Sequence, residues 1–436
     1  MKAPSERNQA PLPRARATLP WLIAGILAAT VPAPAFADAV TDWNAQTNQV
    51  VGAAGGPLHQ FRVFALVHIA VHDALNAIDP RYRSYTTIGA ANPNSSPEAA
   101  VARAAHDVLA ATLPTQAATL ATAYANYLAA LPACAPTQPS CITDGEAIGA
   151  AAADAILDLR QLDGSASAHV PYTLAPGPGV YQPTLPLPPA PAPYPQYGGW
   201  GQVEPFAINN ASQFRAGRTA ILNLASKTYA SEYNEVKDVG SAAVRSAAPD
   251  SEESKIARFW PGGGANVNGF TRLIVADHDH DLWEHARLFA LINIAVSDTL
   301  IVTFEGKYRF NFWRPVTAIH WADDGNPGTE PDPAWTPYIV TPPYPDYTCG
   351  LPTTSGAATE ILRDFFGTDD VPFTLTATAV PPAVTRSFTS LSQAADESAD
   401  ARVFGGIHFR SGCTAAVRLG EKVGQFVFNT QLRPRR

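Results

Sequence analysis

The sequence predicts an all-α fold of bundled helices joined by long loops. Apolar residues recur with helical spacing in several segments, for example between Phe61 and Ala77. Alanine is abundant, whereas the 436-residue chain contains a single methionine. No alternation of polar and apolar residues lasts long enough to favour a sheet, and no repeat of fixed period is evident. These observations favour helices packed around one large core or two medium ones.

The predicted helices follow one another along residues 38–436, which we interpret as a single domain. In the N-terminal part, 38–170, they are Phe61–Ala77, Glu98–Leu131 with a break at Pro114, and Gly145–Leu159. In the part from 207 to 436 they are Ala211–Leu224, Ser231–Ser246, Asp281–Phe304, Thr354–Phe366 and Thr414–Thr430. The apolar stretch Leu288–Val302 contains Asn293 and Asp298, so it predicts a buried helix and not a transmembrane one.

Between the two parts lies a proline-rich stretch, Pro171–Pro195, which is too poor in N–H donors for a helix or a central strand. An interdomain linker and an ordered loop are both compatible with this composition. We favour a loop, 171–206, that wraps over the helical core. The residues that would anchor its end are Tyr194, Tyr197, Trp200 and Phe206.

The N-terminus has the features of an export signal. Basic residues between Lys2 and Arg16 precede an apolar run, Trp21–Val31, and the small-residue pattern Ala35-Phe36-Ala37. The run is shorter than the roughly 20 residues that span a bilayer, which favours cleavage over a membrane anchor. We therefore expect residues 1–37 to be a signal peptide and the mature protein to be secreted or periplasmic.

Four cysteines in an exported chain indicate disulfides. Cys134 and Cys141 flank a proline-containing loop and are the natural local pair. Cys349 and Cys413 would then pair over a long span. Free buried thiols remain the alternative, because sequence alone does not determine connectivity.

The net charge of −8 makes nucleic acid an unexpected partner, so clusters of basic residues in this chain are informative. Lys307 and Arg314 are seven residues apart, which in a continuous helix places them on nearly the same face, with Pro315 ending or kinking that helix. Two cations without an obvious local carboxylate predict an anion site. A solvated helix face is the ordinary explanation of such a pair taken alone.

Two further segments strengthen this prediction. Gly350 precedes an alanine-rich helix, where backbone N–H groups can approach an oxyanion closely. Farther along, Arg402 and His408 flank a Gly-Gly turn. Each signal is weak alone, but the order and spacing of all three are far more specific. Together they predict a cationic pocket for a tetrahedral or trigonal-bipyramidal oxyanion. The pocket walls are expected to be Phe312, Trp313 and Tyr344, although core packing would also explain these aromatic residues.

The three segments resemble the signature of the vanadium-dependent haloperoxidase and type 2 phosphatidic acid phosphatase superfamily, particularly its bacterial secreted branch. That signature is Lys, six residues, Arg-Pro; then Pro-Ser-Gly-His; then Arg, a short spacer and His. The similarity extends to Phe64–Tyr82 and to the run from Ala286 to Ile319. The resemblance implies the helical-bundle fold of that superfamily. It also implies a bound vanadate, with phosphate as its analogue, and no organic cofactor.

The resemblance assigns roles residue by residue. Lys307, Arg314 and Arg402 match the family's ligands of the equatorial oxygens, and Gly350 matches its backbone N–H donor. His408 matches the histidine that bonds to vanadium or, in the phosphatases, attacks phosphorus. These assignments agree with the chemistry of the groups, because guanidinium and ammonium bind oxyanions and a neutral imidazole is both a metal ligand and a nucleophile.

The sequence departs from the family at Cys349-Gly350-Leu351, where the family has Ser-Gly-His. The missing histidine is the general acid–base group, and its loss typically costs about 10²–10⁴ in rate. The missing serine removes a hydroxyl donor worth about 1 kcal/mol. Cys349 does not replace that donor if it is bonded to Cys413. Oxyanion binding is therefore better supported than turnover.

Three functions follow from the resemblance, all with a small-molecule substrate or ligand. The first is a haloperoxidase that oxidises halide with hydrogen peroxide, and the second is an acid phosphatase with His408 as nucleophile. The third is a catalytically impaired oxyanion-binding protein, which Leu351 favours. Retention of the three cations and the imidazole favours an enzyme. The sequence does not define the oligomeric state.

Other histidines have ordinary explanations. His278 to Asp281 form a polar cluster, for which a solvated loop is favoured over a substitute acid or a metal site. His68 and His72 lie one helical turn apart, a spacing that can bind zinc, but no third and fourth ligands are evident. Packing and capping contacts are favoured there. His320 is a weaker candidate for the rim of the pocket.

Overall fold

The computed structural model describes residues 38–184, 197–264 and 266–435, which form 14 α-helices and one two-stranded antiparallel sheet. The helices are α1 Ala39–Val50, α2 Pro57–Ile78, α3 Pro97–Thr112, α4 Ala117–Ala130, α5 Cys141–Arg160, α6 Lys227–Val239, α7 Ala242–Ala247, α8 Glu252–Phe259, α9 Val267–Val275, α10 Leu282–Phe310, α11 Pro315–His320, α12 Gly350–Phe366, α13 Leu391–Phe404 and α14 Arg410–Thr430. The strands are β1 Phe373–Ala377 and β2 Val384–Phe388. The all-α fold class is confirmed. The predicted signal peptide, 1–37, and the proposed anchor Tyr194 lie outside the described residues.

Helix α10 is the central element of the fold. It contacts α2 on one side and α12 and α14 on the other, and its residues from His285 to Lys307 are almost all buried. Its first turn is closed by a capping box, in which Asp281 accepts from the Glu284 N–H and the Glu284 carboxylate accepts from the Asp281 N–H. The buried helix predicted at Leu288–Val302 is confirmed. By length and composition α2 and α10 would suffice to cross a membrane, and 83% and 94% of their most apolar windows are buried inside the protein.

Two helical groups meet on α10. Helices α2, α3 and α5 pack against one another on the N-terminal side, and α12, α13 and α14 do so on the C-terminal side. The approach of α12 to α14 depends on glycine. A Cβ atom on Gly356 would lie 2.4 Å from the Val417 oxygen, and one on Gly420 would lie 2.2 Å from the Thr353 oxygen. This close packing brings the first residues of α12 next to the chain that leads into α14.

One prediction about the oxyanion motif is wrong, because Lys307 and Arg314 do not share a helix. Helix α10 ends at Phe310, and Asn311 adopts a left-handed conformation with φ 49° and ψ 34°. Asparagine tolerates this conformation and ends helices for that reason. Pro315 then opens the separate short helix α11, to which Arg314 is the N-cap residue.

Other predicted helix bounds are also corrected. Residues 211–224 form turns and one 3₁₀ turn, Ala220–Leu222, because the Asn210 side chain accepts from the Ser212 N–H and closes a competing local turn. The predicted helix Ser231–Ser246 is divided into α6 and α7 at Gly240, with Ser241 capping α7. Helices α1, α8, α9 and α13 were not predicted. The hairpin β1–β2 was also missed, since each strand alternates over only five residues.

Both expected disulfides are present. Cys134 bonds to Cys141 within a local loop. Cys349 bonds to Cys413 across 64 residues and joins the start of α12 to the first turn of α14.

The loop between the two parts is held by contacts to α10 and to the segment that follows it. Val180 forms an isolated β-bridge with Phe312, and Asp298 accepts the N–H groups of residues 206–208 at 2.6–2.9 Å. The proposed anchors Tyr197, Trp200 and Phe206 are buried. The interpretation of 38–436 as one domain with a wrapping loop stays a prediction.

Candidate functional site

The four principal site residues come from four places in the fold. Lys307 lies in the last turn of α10, Arg314 precedes α11, Arg402 lies in the last turn of α13, and His408 lies in the turn before α14. The structure brings them together. Arg314 Nη1 is 2.8 Å from His408 Nε2, and the charges of Lys307 and Arg402 both act on the His408 imidazole. The side chains of Lys307, Arg314 and His408 are buried, with exposed fractions of 0%, 0% and 2%.

The cationic side chains are held by backbone carbonyls and still have N–H groups to spare. Lys307 Nζ donates to the carbonyls of Pro345 and Asp346 at 3.0 and 2.8 Å, which leaves one of its three N–H groups. Arg314 Nε donates to the Tyr344 carbonyl at 2.8 Å, and Nη1 donates to the Ile407 carbonyl at 2.8 Å. Arg314 Nη2 and Arg402 Nε are buried, and neither has a hydrogen-bond partner within the described part of the chain.

Buried N–H groups without partners are unfavourable, and an anion between the cations would satisfy them. Arg402 as a residue is only half-buried, but its Nε atom is not accessible to water. The donors are therefore cationic and held in place, and an oxyanion between them would supply the acceptors that their free N–H groups lack. The residues present fit a bound vanadate or phosphate.

The electrostatics of the site keep the imidazole neutral. Burial lowers the pKa of His408 well below its usual value, and the charges of Arg314, Lys307 and Arg402 lower it further. Burial, together with Arg314 and Arg402, also lowers the pKa of Lys307, while Asp346 opposes this shift. Burial lowers the pKa of Arg402 to about 10, so its guanidinium stays protonated at neutral pH. A neutral imidazole has a lone pair that can bond to vanadium or attack phosphorus.

The start of α12 lies beside this cluster. Helix α12 begins at Gly350, where the first N–H groups have no acceptor within the helix. The disulfide of Cys349 and Cys413 lies next to His408, with both sulfurs within 4.8 Å of a ring nitrogen of that histidine. Among the described residues this is the only group of three candidate metal ligands, and its sulfurs are bonded to each other. Cys349 is thus no substitute for the family's serine, and Leu351 is half-buried against the core.

Asp346 is a site residue that the sequence reasoning missed. Its carboxylate is fully buried, and Oδ1 lies 2.5 Å from His408 Nδ1 and 3.9 Å from Arg314 Nη1. The short contact to the imidazole is not aligned as a hydrogen bond. Burial raises the pKa of Asp346 to about 7 against the opposing effect of Arg314 and Lys307. An acidic residue just upstream of Cys349-Gly350 was the only signal in the sequence.

The three expected wall residues differ in position. The Tyr344 ring lies 5.3 Å from Lys307 Nζ and 5.1 Å from Arg314 Cζ, so it stacks on the two cations. Phe312 and Trp313 are buried in a hydrophobic cluster with Tyr229. The backbone carbonyl of Phe312 accepts from the Asp346 N–H at 2.9 Å.

The other histidine groups have structural partners. His68 Nε2 accepts from the Asn44 amide at 2.7 Å, and burial lowers the pKa of His68 to about 3. His72 Nδ1 lies 2.9 Å from Asp73, whose carboxylate also accepts from two backbone N–H groups. Asp281 caps α10, as described above. Within the described ranges neither group gathers the three ligand atoms of a metal site.

The chain is similar to vanadium haloperoxidases in sequence and in structure. Residues 287–435 match the family described as the VCPO second helical-bundle domain. Vanadium chloroperoxidase of Curvularia inaequalis is 26% identical over 402 residues, which cover 74% of this chain and 65% of the relative. A crystal structure titled as the first bacterial vanadium-dependent iodoperoxidase superposes with a TM-score of 0.74 at 26% identity, covering 91% of this chain and 97% of that one.

In sequence and in fold the chain is similar to the vanadium haloperoxidase superfamily. A holo-type bacterial vanadium-dependent chloroperoxidase shares the fold, with a TM-score of 0.68 at 18% identity and coverage of 91% of this chain and 93% of that one. The match spans 65% of the length of the fungal chloroperoxidase, a little under two thirds.

Proposed function

We propose that this protein binds vanadate, with phosphate as an analogue, and oxidises halide with hydrogen peroxide. The observation that carries the proposal is a neutral, buried His408 beside Lys307, Arg314 and Arg402, where Arg314 Nη2 and Arg402 Nε have no hydrogen-bond partner among the described residues. Vanadate, when bound, would supply Lewis-acid activation of peroxide without changing its own oxidation state. Lys307, Arg314 and Arg402 would hold its oxygens, and His408 would bond to the metal through its neutral imidazole.

Iodide is the halide we expect to be used best. It is the most easily oxidised of the common halides, and a site without the acid–base histidine at position 351 is poorly equipped for harder ones. One structural relative of 26% identity is titled an iodoperoxidase. The fungal relative of 26% identity is named a chloroperoxidase, so chloride and bromide belong in the same assay.

The test begins with binding. Orthovanadate added to the purified protein is expected to raise the thermal unfolding midpoint, because a ligand that binds only the folded state stabilises it. Oxidation of iodide, bromide and chloride by peroxide is then followed with a halogen-accepting dye. No stabilisation and no calorimetric binding of vanadate would contradict the proposal.

A phosphatase is the second candidate, favoured by the same neutral His408, which is suited to attack phosphorus. A phosphate monoester with a good leaving group is the appropriate substrate, because such a group needs little protonation. Release of phosphate without halide oxidation would select this function. The third candidate, a catalytically impaired oxyanion-binding protein, rests on Leu351 and would be selected by vanadate binding without either activity.

We also propose that the protein is exported with cleavage after Ala37. Asp38 would then be the first residue, and its side chain accepts from the Thr41 N–H and caps α1. Mass spectrometry of the protein recovered outside the cytoplasm is expected to find Asp38 at the N-terminus. A chain that retains residues 1–37 would contradict cleavage.

A further inference from the structure

Two short extended segments, residues 81–83 and 433–435, pair antiparallel at the surface of the protein. Tyr82 and Pro434 form an isolated β-bridge, and a backbone hydrogen bond of 2.9 Å closes the pair on each side of it. The Tyr82 ring is half-buried, and its centroid lies 5.4 Å from the guanidinium carbon of the buried Arg287. One face of the pair is therefore turned toward the protein, and the other is turned outward.

The remaining four positions of the two segments are arginines, and all four are exposed. Residues directly opposite each other in an antiparallel pair project to the same face, and consecutive residues alternate between faces. The four arginines therefore share the outward face. They are Arg81 and Arg83 in the first segment and Arg433 and Arg435 in the second. Like charges placed opposite each other are destabilising, so folding stability does not account for this arrangement. We call the two segments the arginine ribbon.

One arginine of the ribbon is neutralised and three are not. Arg81 pairs with Asp79 and Asp281. Among the residues that the structure describes, the other three side chains have no ion-pair or hydrogen-bond partner. Together with Pro434 they line a surface cleft of about 600 Å³, and no carboxylate is among the described residues that line it. Three uncompensated guanidiniums around one cleft, in a chain of net charge −8, indicate an anionic ligand.

We propose that this cleft binds a small anion carrying two or more phosphate or sulfate groups. A guanidinium binds such a group with two parallel N–H···O hydrogen bonds. Arg433 and Arg435 are two residues apart, about 7 Å along the strand, so linked groups engage both more readily than a single group does. A ligand with several negative charges also matches the charge of the three arginines. The concave shape favours a compact ligand over a flat membrane surface.

The cleft is distant from the oxyanion site. Arg81 of the ribbon pairs with Asp281, the N-cap residue of α10, whereas Lys307 lies in the last turn of the same helix. A rise of 1.5 Å per residue places these two ends of α10 about 40 Å apart. The proposal therefore concerns a second anion site and does not depend on the proposed function.

The test is calorimetric titration of the full protein with sodium tripolyphosphate. We expect saturable binding, and orthophosphate is expected to bind at the cleft at least about tenfold more weakly. Arg83→Gln and Arg433→Gln are each expected to weaken tripolyphosphate binding about fivefold, and the double variant at least about twentyfold. The unfolding midpoint should not change, because both side chains are exposed. Arg418→Gln, exposed on α14, removes the same charge elsewhere and should bind as the wild type does.

Absence of saturable binding, or an equal loss in Arg418→Gln and Arg433→Gln, would overturn the proposal. Arg402→Met should bind tripolyphosphate normally, and a loss confined to this variant would place the probe in the oxyanion site instead. Vesicles of phosphatidylcholine and phosphatidylglycerol separate a lipid headgroup from a free anion. Sedimentation of the protein with these vesicles, without binding of tripolyphosphate, would make a membrane the partner and would also contradict the proposal.

Discussion

Leu351 is the single residue that most limits the expected turnover. It lies in the first turn of α12, beside the cation cluster, and is half-buried. Leu351→His would place an acid–base group where the superfamily has one, and we expect it to raise the halide oxidation rate about 10²-fold. The affinity for vanadate should change little. Leu351→Asn is the control, since it adds polarity without a proton-transfer group. Equal rates for the two variants would contradict this account of the missing acid.

Replacement of Arg402 tests whether this residue serves anion binding or the stability of the fold. Its Nε atom has no partner among the residues that the structure describes, so Arg402→Met removes a cation without breaking a hydrogen bond at that atom. We expect vanadate to bind at least about tenfold more weakly, with an unchanged or higher unfolding midpoint because repulsion with Arg314 is relieved. Calorimetry and thermal unfolding measure the two effects. Arg418→Met, exposed on α14, is the control. Loss of stability with unchanged binding would assign Arg402 to the fold.

Asp346 places a carboxylate beside the cations of the candidate oxyanion site. Asp346→Asn removes that charge, and at about pH 8 we expect sulfate, which forms no bond to His408, to bind about tenfold more tightly. Vanadate should gain less, because the contact with His408 is altered at the same time. Calorimetric titration with both anions gives the comparison, and Asp250→Asn at an exposed position is the control. Weaker sulfate binding would mean that Asp346 organises the donors and does not compete with the guest.

At the scale of elements, Asp298 joins the loop after the proline-rich stretch to α10. Its two carboxylate oxygens accept three N–H groups of residues 206–208. Asp298→Asn keeps one acceptor oxygen and turns an amide N–H₂ toward an N–H donor. We expect the free energy of unfolding near pH 7 to fall by about 2–3 kcal/mol. Denaturant titration measures this loss, and Asp154→Asn on the exposed side of α5 should not show it.

The same residue predicts a pH dependence with a defined sign. Burial raises the pKa of Asp298 to about 6, above the value of about 4 expected in an unfolded chain. Between these values the folded protein holds more protons than the unfolded chain, so this contribution to stability falls as the pH rises from about 4 to about 6. Asp298→Asn is expected to lack the contribution. An identical pH profile in the variant would contradict it.

At the scale of the whole molecule, the two disulfides should stabilise the fold unequally. The bond between Cys349 and Cys413 closes 64 residues, whereas the bond between Cys134 and Cys141 closes 7. Loop-closure entropy predicts losses of about 4 and about 2 kcal/mol when each pair is replaced by serine. Denaturant unfolding of the two double variants measures the difference. A larger loss from the shorter loop would show that contacts around the cysteines outweigh chain entropy.

The sequence alone was sufficient for the helical class, and it named candidates for the site. Amphipathic periodicity and glycine or proline at helix ends are local properties, so α2, α10, α12 and α14 were recognisable, and motif spacing singled out Lys307, Arg314 and His408. Helices such as α8 and α9 escaped because they are short. Asn311 was overlooked as a helix end, which produced the mistaken single helix through Lys307 and Arg314.

Tertiary structure alone decided what the site residues touch. Asp346 reaches His408 from another segment, and no periodicity along the chain encodes that 2.5 Å contact. The unpartnered N–H groups of Arg314 and Arg402 exist only because packing excludes water from them. Local sequence encodes backbone preference and residue chemistry, whereas burial and charge proximity arise from segments far apart in the chain. Those long-range terms set the neutral state of His408 and complete the cationic pocket.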